Sequence, residues 1–248
     1  FGNWYFLQYG KKEGPVNHGT KTIPFNRIKE MRQVEEKDIR RRGKYWYPNR
    51  DACRYLFGPT AIPIEKGEGY FQNADLLVNS ANYGFTKNFS LQAGAVVPLA
   101  VFIMPKYGYK VQENFHVGGG LFYGATLLKF RNSNYRMGAA YGLATLGNNN
   151  TNVSFGLGYG FAGTSLEPHY PDKPLFTIGA TARLGKRFAL ITENMIFPLR
   201  YTEYMAAGKV HSYDYKGYTS YGFRILKERT SIDFGFLTLP QEIIAGFI

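Results

Sequence analysis

The side chains able to do chemistry are few in this chain, and their spacing limits what they can do. Its four histidines, His18, His116, His169 and His211, show neither an HxH nor an HExxH spacing, and Cys53 is the single cysteine. A disulfide framework or a thiolate zinc site needs at least two thiols, so both are excluded, and a histidine-held metal has no motif to rest on. Gly156, Gly158 and Gly160 spell GxGxG, but they sit in the alternation of a strand and not at the strand-to-helix turn that cradles a nucleotide phosphate. The nearest thing to a catalytic constellation is Glu203, His211, Ser212 and Asp214, read as part of one long loop. A histidine beside carboxylates and a hydroxyl can do general-base chemistry at a barrel rim. An ordinary polar loop has the same composition, and spacing alone supplies no geometry for a nucleophile and its base. The expectation is a protein that is not an enzyme and holds no cofactor and no metal.

A second set of ionic side chains has a clearer logic. Lys106, Lys110, Arg136, Arg183, Lys216 and Arg224, together with Asp75, Glu193, Asp214 and Asp233, are expected on the small, polar side of alternating segments. On the inner wall of a barrel they would form paired crosspieces, because a buried ion must be paired to be tolerated, or else line a mildly anion-attracting passage.

Such residues need strands to position them, and the composition points to strands. The 248 residues are 17% aromatic, with 20 Phe, 20 Tyr and 29 Gly, and only 19% charged. That is too aromatic for disorder and too rich in glycine for a mainly helical chain. No stretch supplies the roughly 18 apolar residues of a membrane-spanning helix. From Arg54 onward the hydrophobic period is two. Phe115, Val117, Leu121, Tyr123, Ala125 and Leu127 alternate with His116, Gly118, Gly120, Gly124 and Thr126, and Val153, Phe155, Leu157, Tyr159 and Phe161 alternate with small residues. Tyr135, Met137, Tyr141 and Leu143 are read the same way against Arg136, Gly138, Ala140 and Gly142. A soluble sandwich would turn long polar side chains to water on the second face, but here that face is glycine with occasional ions. A membrane barrel, apolar outside and small or polar inside, accounts for this pattern better.

Turn spacing agrees. Short polar turns at residues 86–88, 112–114, 148–150, 185–187 and 227–229 alternate with reversals expected to be longer or less regular, near Pro98 and Pro240 and at 131–134, 163–174 and 199–210. Counting an opening strand at 54–64 and a closing one near Ile243, the expectation is an all-β transmembrane antiparallel barrel of about twelve strands. Tyr83, Phe85, Phe89, Phe115 and Phe188 would form the girdle at the short turns, and Phe130, Tyr135, Phe161, Phe197 and Tyr201 the girdle at the other rim.

Residues 1–53 read differently. Residues 26–42 (NRIKEMRQVEEKDIRRR) predict a short basic helix with a stripe of Ile28, Met31, Val34 and Ile39 and with Arg40, Arg41 and Arg42 at its end. Glu30, Glu35, Glu36 and Asp38 interrupt its positive face, which argues against nucleic acid as a partner. Trp4, Tyr5 and Phe6 before it and Tyr45, Trp46 and Tyr47 after it read as docking anchors. The expected organisation is a periplasmic extension over 1–53 and a barrel over 54–248.

The segments RYLFGPTAIPIEKGEGYFQN, NSANYGFTKNFSL, MPKYGYKV, FHVGGG, YGLATLGNNNTNVSFGLGYGF and LITENMIF resemble outer-membrane β-barrel proteins of Bacteroidota-type bacteria, described as conserved hypothetical proteins. The resemblance covers residues 54–248. It implies the fold and the outer membrane of a Gram-negative bacterium, with the N-terminal segment periplasmic, but no chemistry. The functions in view are a structural or accessory subunit of an envelope complex, with outer-membrane lipid and other envelope proteins as partners, a narrow pore or binding barrel for small anionic solutes, and a surface hydrolase using the His211 and Asp214 rim.

Overall fold

The computed structural model describes residues 5–9, 12–16, 28–33, 39–40, 44–129, 133–164, 168–205 and 208–238, with side chains from Tyr45 onward except at 168, 200–205 and 208–212. The chain forms two compact units, Phe1–Asn49 with Lys227–Thr230, and Arg50–Leu226 with Ser231–Ile248.

In the first unit, β1 (Tyr5–Tyr9) lies between β2 (Lys12–Val16) and β3 (Ile28–Gln33) in an antiparallel sheet, and β4 (Ile39–Arg40) pairs with β5 (Lys44–Tyr45). The expected helix over 26–42 is therefore corrected, since its first turns are a strand. Ile28 and Met31 have helical spacing, yet a register shift at Gln8/Tyr9 places them opposite Tyr9 and Leu7. A bulge of this kind lets residues three apart share a face of a sheet. Pairing with β1 thus overrides a local helix propensity worth only tenths of a kcal/mol per residue. Val34, Arg41, Arg42 and Trp4 lie outside the described residues.

The second unit is one antiparallel meander. Its strands are β6 (Gly69–Ala74), β7 (Val78–Gly84), β8 (Phe89–Val96), β9 (Ala100–Gln112), β10 (Phe115–Thr126), β11 (Tyr135–Gly147), β12 (Thr151–Thr164), β14 (Leu175–Arg183), β15 (Phe188–Met205), β16 (Gly208–Leu226) and β17 (Ser231–Thr238). Each of these eleven pairs with its neighbours in sequence, and a two-residue strand, β13 (Pro168–His169), sits beside β12. All five expected short turns join adjacent strands. Side chains close two of them: Thr86 Oγ1 accepts from the Asn88 and Phe89 amides, and Asn148 Oδ1 from those of Asn150 and Thr151.

Two features of the meander differ from expectation. The long loop expected over 199–210 is mostly ladder, with β15 and β16 paired from Phe188↔Ile225 to Met205↔Gly208. Polar residues there suit a pleated ribbon as well as a loop, so composition concealed the strands. The phase of β11 is also inverted. Thr145 and Leu143 are buried, whereas Arg136 is exposed and pairs with Gly163 on the opposite face. Glycines on both neighbouring strands make the room: a Cβ on Gly156 would stand 2.9 Å from Leu143 Cδ2, and one on Gly120 2.5 Å from Tyr141 Oη. A one-residue change of phase moves every side chain to the other face.

The two faces of the sheet differ sharply in exposure. Val153, Phe155, Leu157 and Tyr159 are 36%, 49%, 50% and 55% exposed, while Asn152 and Ser154 between them are buried. The same contrast holds for Leu190 against Ile191 and Glu193, and for Tyr221 against Ser220 and Arg224. The sheet curls into a half-barrel. Laid flat, eleven strands would hold their edges roughly 48 Å apart at about 4.8 Å per strand. Instead both edges reach Arg54, which bonds Asp233 on β17 at 2.8 Å and stands 5.5 Å from the Tyr70 ring on β6.

Candidate functional site: a segment held on the polar face

Residues 54–64 are not the expected opening strand. After a 3-10 turn at Arg50–Cys53, the backbone forms only an isolated bridge, Arg54↔Pro59. Pro59 and Pro63 have no N–H to give a ladder. The segment instead bonds to itself: Tyr55 N donates to Gly58 O at 2.9 Å, Thr60 N to Cys53 O at 3.0 Å and Thr60 Oγ1 to Ala52 O at 2.7 Å. Most of it is buried, Thr60 and Ala61 fully, while Gly58, Pro59 and Pro63 are half-buried and Phe57 is exposed.

What encloses it is the polar face of the sheet. Glu193 on β15 accepts both the Phe57 and Gly58 amides at 2.9 Å, one on each carboxylate oxygen. Lys106 on β9 donates its ammonium to the carbonyls of Thr60 and Ile62 at 3.0 Å and of Cys53 at 3.4 Å. Thr145 on β11 takes the Ala61 amide at 2.8 Å, and Gln72 on β6 donates to Leu56 O at 3.1 Å. The Tyr55 hydroxyl bonds Asn152 and Ser154 on β12 at 2.9 and 2.8 Å.

The strongest fastening is ionic. Asp233 takes Arg224 through Nε at 2.6 Å and Nη2 at 2.8 Å, and Arg54 through Nη1 at 2.8 Å, while Arg54 Nη2 reaches Asp51 at 3.0 Å. Arg224 also donates to the carbonyls of Asp51 and Tyr55 at 3.1 and 2.9 Å. Burial alone would lower the Arg54 pKa, but the Asp51 and Asp233 carboxylates outweigh it and hold the guanidinium charged. Burial pushes the Cys53 thiol up and the Tyr55 phenol up to about 12, against a smaller downward pull from the Ser154 hydrogen bond. Both groups are therefore neutral at physiological pH.

Missing side chains complete the fit. A Cβ on Gly108 would meet Ala61 O at 2.5 Å and one on Gly179 the Tyr55 ring at 2.5 Å; Gly84 and Gly235 clear Ile64 and Leu56 in the same way. The cavity left beside the segment, lined by Cys53, Arg54, Tyr70, Asn82 and Lys106 among others, holds about 10 Å³. That is room for one water, against the several hundred Å³ of a ligand pocket.

Of the ionic residues expected on the inner wall, Lys106, Glu193, Arg224 and Asp233 converge on this segment. Arg183 is also buried, but it fastens turns, donating to Gly185 O, Lys186 O and Asn150 Oδ1. Lys110 and Asp214 are exposed, and Lys216 is half-buried. Arg136 is corrected to the outer register because of the β11 phase. Asp75 sits at the tip of the β6–β7 turn, where Asp75 and Leu76 have φ of 50° and 63° and Leu77 N bonds Ala74 O. Arg54, Tyr55, Thr145, Asn152 and Ser154 went unread as site residues. The signal for the first two was an apolar run with two prolines and no period.

Tyr83, Phe85, Phe89 and Phe188 are exposed near the short turns and Phe115 is half-buried there; Phe85 lies 5.0 Å from Tyr83 and 6.2 Å from Phe89. Near the other rim Tyr135 is exposed and Phe161 stacks near Tyr170 at 5.6 Å, while Phe197 pairs with Lys216 on the inner register. Phe130 lies outside the described residues, as do the side chains of Tyr5 and Tyr201. Of the expected docking aromatics, Tyr45 and Tyr47 are buried and Trp46 half-buried. His211 pairs with Thr202 and Ser212 with Tyr201. Successive ladder positions alternate faces, so position 211 is opposite in face to 212 and 214. Among the described residues no three His, Cys, Asp or Glu converge as metal ligands, and no helix is long and apolar enough to cross a membrane.

Compared with protein-family models, curated proteins and solved structures, the chain matches none. The functional reading therefore rests on the geometry above.

Replacing Tyr55 by Phe removes two buried hydrogen bonds and leaves the packing against Gly179. A loss of about 1–2 kcal/mol is expected, read as a lower urea midpoint with an unchanged slope.

Proposed function

We propose that this chain is an integral outer-membrane β-barrel of a Gram-negative envelope. Its interior is filled by its own residues 50–64, and it serves as a structural or accessory subunit of an envelope complex. The observation that carries this reading is the apolar outer face. A run of large side chains from β6 to β17, including Phe71, Ile103, Leu121, Phe155, Ile178, Leu190, Tyr221 and Phe236, is exposed, while the ions and hydroxyls between them are buried. A face of that extent on a sheet far exceeds the few hundred Å² that a soluble monomer leaves open, and hydrocarbon is the solvent that suits it. Strands β9 to β12, of 12 to 14 residues, are long enough to cross at a tilt, since about 9–11 residues suffice. The filled interior favours a structural role over a standing pore. The Bacteroidota resemblance supports the same compartment.

The test uses nitroxide labels at single cysteines in a Cys53→Ser background, in phospholipid vesicles. Labels at 155, 157 and 159 are expected to relax with oxygen and not with a water-soluble nickel complex, and a label at 154 with neither. Equal access of the nickel complex to positions 155 and 157 would remove the membrane reading.

A further inference from the structure

We propose that residues 50–64 are a displaceable plug, and that the wall they leave behind is a passage with a mild preference for small anions. This rests on the membrane-barrel reading and adds an activity to it.

The way the segment is held carries the inference. A permanent filling is best made apolar, because a buried ion pair often contributes no more than well-packed hydrocarbon of the same volume. Here the apolar cluster between segment and wall is small, Tyr55 and Leu56 against Ile191. The remaining attachment is polar: Glu193 to two amides, Lys106 to three carbonyls, Thr145 to one amide and Gln72 and Arg224 to further carbonyls, with the Arg54–Asp233 ion pair and the Tyr55 hydroxyl on Asn152 and Ser154. No ladder bond joins them, so removal breaks no strand pairing.

Both surfaces tolerate separation. The segment keeps its own turn, its bridge and its Thr60 bonds, so it leaves as a folded piece. The wall keeps Lys106 and Arg224 against Glu193 and Asp233 where the segment sat, and Arg183 at its rim beside the 185–187 turn. Charged and hydroxyl side chains lose little when water replaces the peptide, whereas an apolar wall would collapse. Three cations against two anions set the stated preference. The segment continues in sequence directly into the first unit, Phe1–Asn49, so a pull on that unit bears first on Arg50.

Cys53, buried and the single thiol, reports displacement without engineering. Wild-type protein is inserted in planar bilayers and in vesicles, and urea is raised below the concentration that abolishes heat-resistant barrel mobility. Expected are silence and an unreactive Cys53 in buffer. With urea, reversible unitary conductance and labelling by a water-soluble maleimide should appear together, with a reversal potential displaced toward chloride in a KCl gradient. Glu193→Gln is expected to raise the labelling rate about tenfold or more, since it removes a charge-assisted pair of bonds. Ala61→Cys with Thr145→Cys, built on Cys53→Ser, places thiols at two residues joined by a hydrogen bond from the Ala61 amide to Thr145 Oγ1. Its disulfide should keep the bilayer silent in urea until reductant is added.

Labelling of Cys53 in an inserted, still silent barrel would overturn the passage, and conductance in the cross-linked protein would overturn the plug. A reversal potential toward the cation would overturn the anion preference. Failure to insert into lipid at all would instead remove the membrane reading on which the proposal stands.

Discussion

Asp233→Ala is expected to cost the folded protein about 3–5 kcal/mol, because it strands the buried Arg224 guanidinium without a counter-charge and takes from Arg54 one of its two carboxylates. Arg224 and Arg54 have side chains only 2% and 9% exposed, and both bond this carboxylate at 2.6–2.8 Å. Asp51 remains for Arg54, but no other carboxylate is bonded to Arg224 among the described residues. The measurement is urea denaturation of detergent-solubilised protein, followed by heat-modifiable mobility. A companion variant, Arg224→Leu with Asp233→Leu, should recover part of the loss, since it removes that charge and its counter-charge together and leaves Arg54 with Asp51. A loss under 1 kcal/mol for Asp233→Ala would show that the network does not hold the segment.

Leu157→Arg is the second large effect, and its size depends on the solvent outside. Leu157 lies at the middle of β12 and is half exposed. In water, an arginine at such a site changes stability by about 0.5 kcal/mol or less. At the midplane of a bilayer it costs about 2–4 kcal/mol. The same variant is to be unfolded in phospholipid vesicles beside Glu113→Arg, which lies in the exposed turn between β9 and β10 and should be near neutral. An equally small effect for both would mean that Leu157 faces water.

How far the sequence disclosed this architecture depended on which residues were asked. The meander was legible because Val153 to Phe161 keep a strict period of two and Phe115 to Ala125 keep one broken only at Gly119 and Phe122, and because Thr86 and Asn148 are residues that close turns on themselves. Phase failed at β11, where Tyr141 and Leu143 look like outward residues until Gly120 and Gly156 on the neighbouring strands are seen to make room for them. That information sits across the sheet and not along the chain. The N-terminal helix failed for the same reason: Ile28 and Met31 have helical spacing, and only the pairing with β1 shows the bulge. At the site, Lys106, Glu193, Arg224 and Asp233 were legible as inner-wall ions by alternation, but their common object was not. A segment whose amides bond to side chains leaves no periodic trace, so residues 54–64 read as one more strand. Lys110 and Asp214 illustrate the reverse limit, since parity gives the face and not the depth.

The fastening of residues 51–55 to β16 and β17 has a consequence for synthesis. Arg54 bonds Asp233 across 179 positions of chain, and Arg224 bonds Asp51 O across 173. The part of this unit that leaves the ribosome first therefore meets its strongest partners only when the last two strands exist. Contacts of such separation form late, after the entropy of closing the intervening loop has been met. Until then Arg54 has only Asp51 as a counter-charge and the carbonyls of Asp51 and Tyr55 lack Arg224, whereas the Phe57 and Gly58 amides wait only for Glu193 on β15. Ionic seating of the segment thus acts as a completion check: a chain truncated before Asp233, or one with a slipped final hairpin, keeps Lys106 and Glu193 for residues 57–62 but lacks the carboxylate that fastens Arg54.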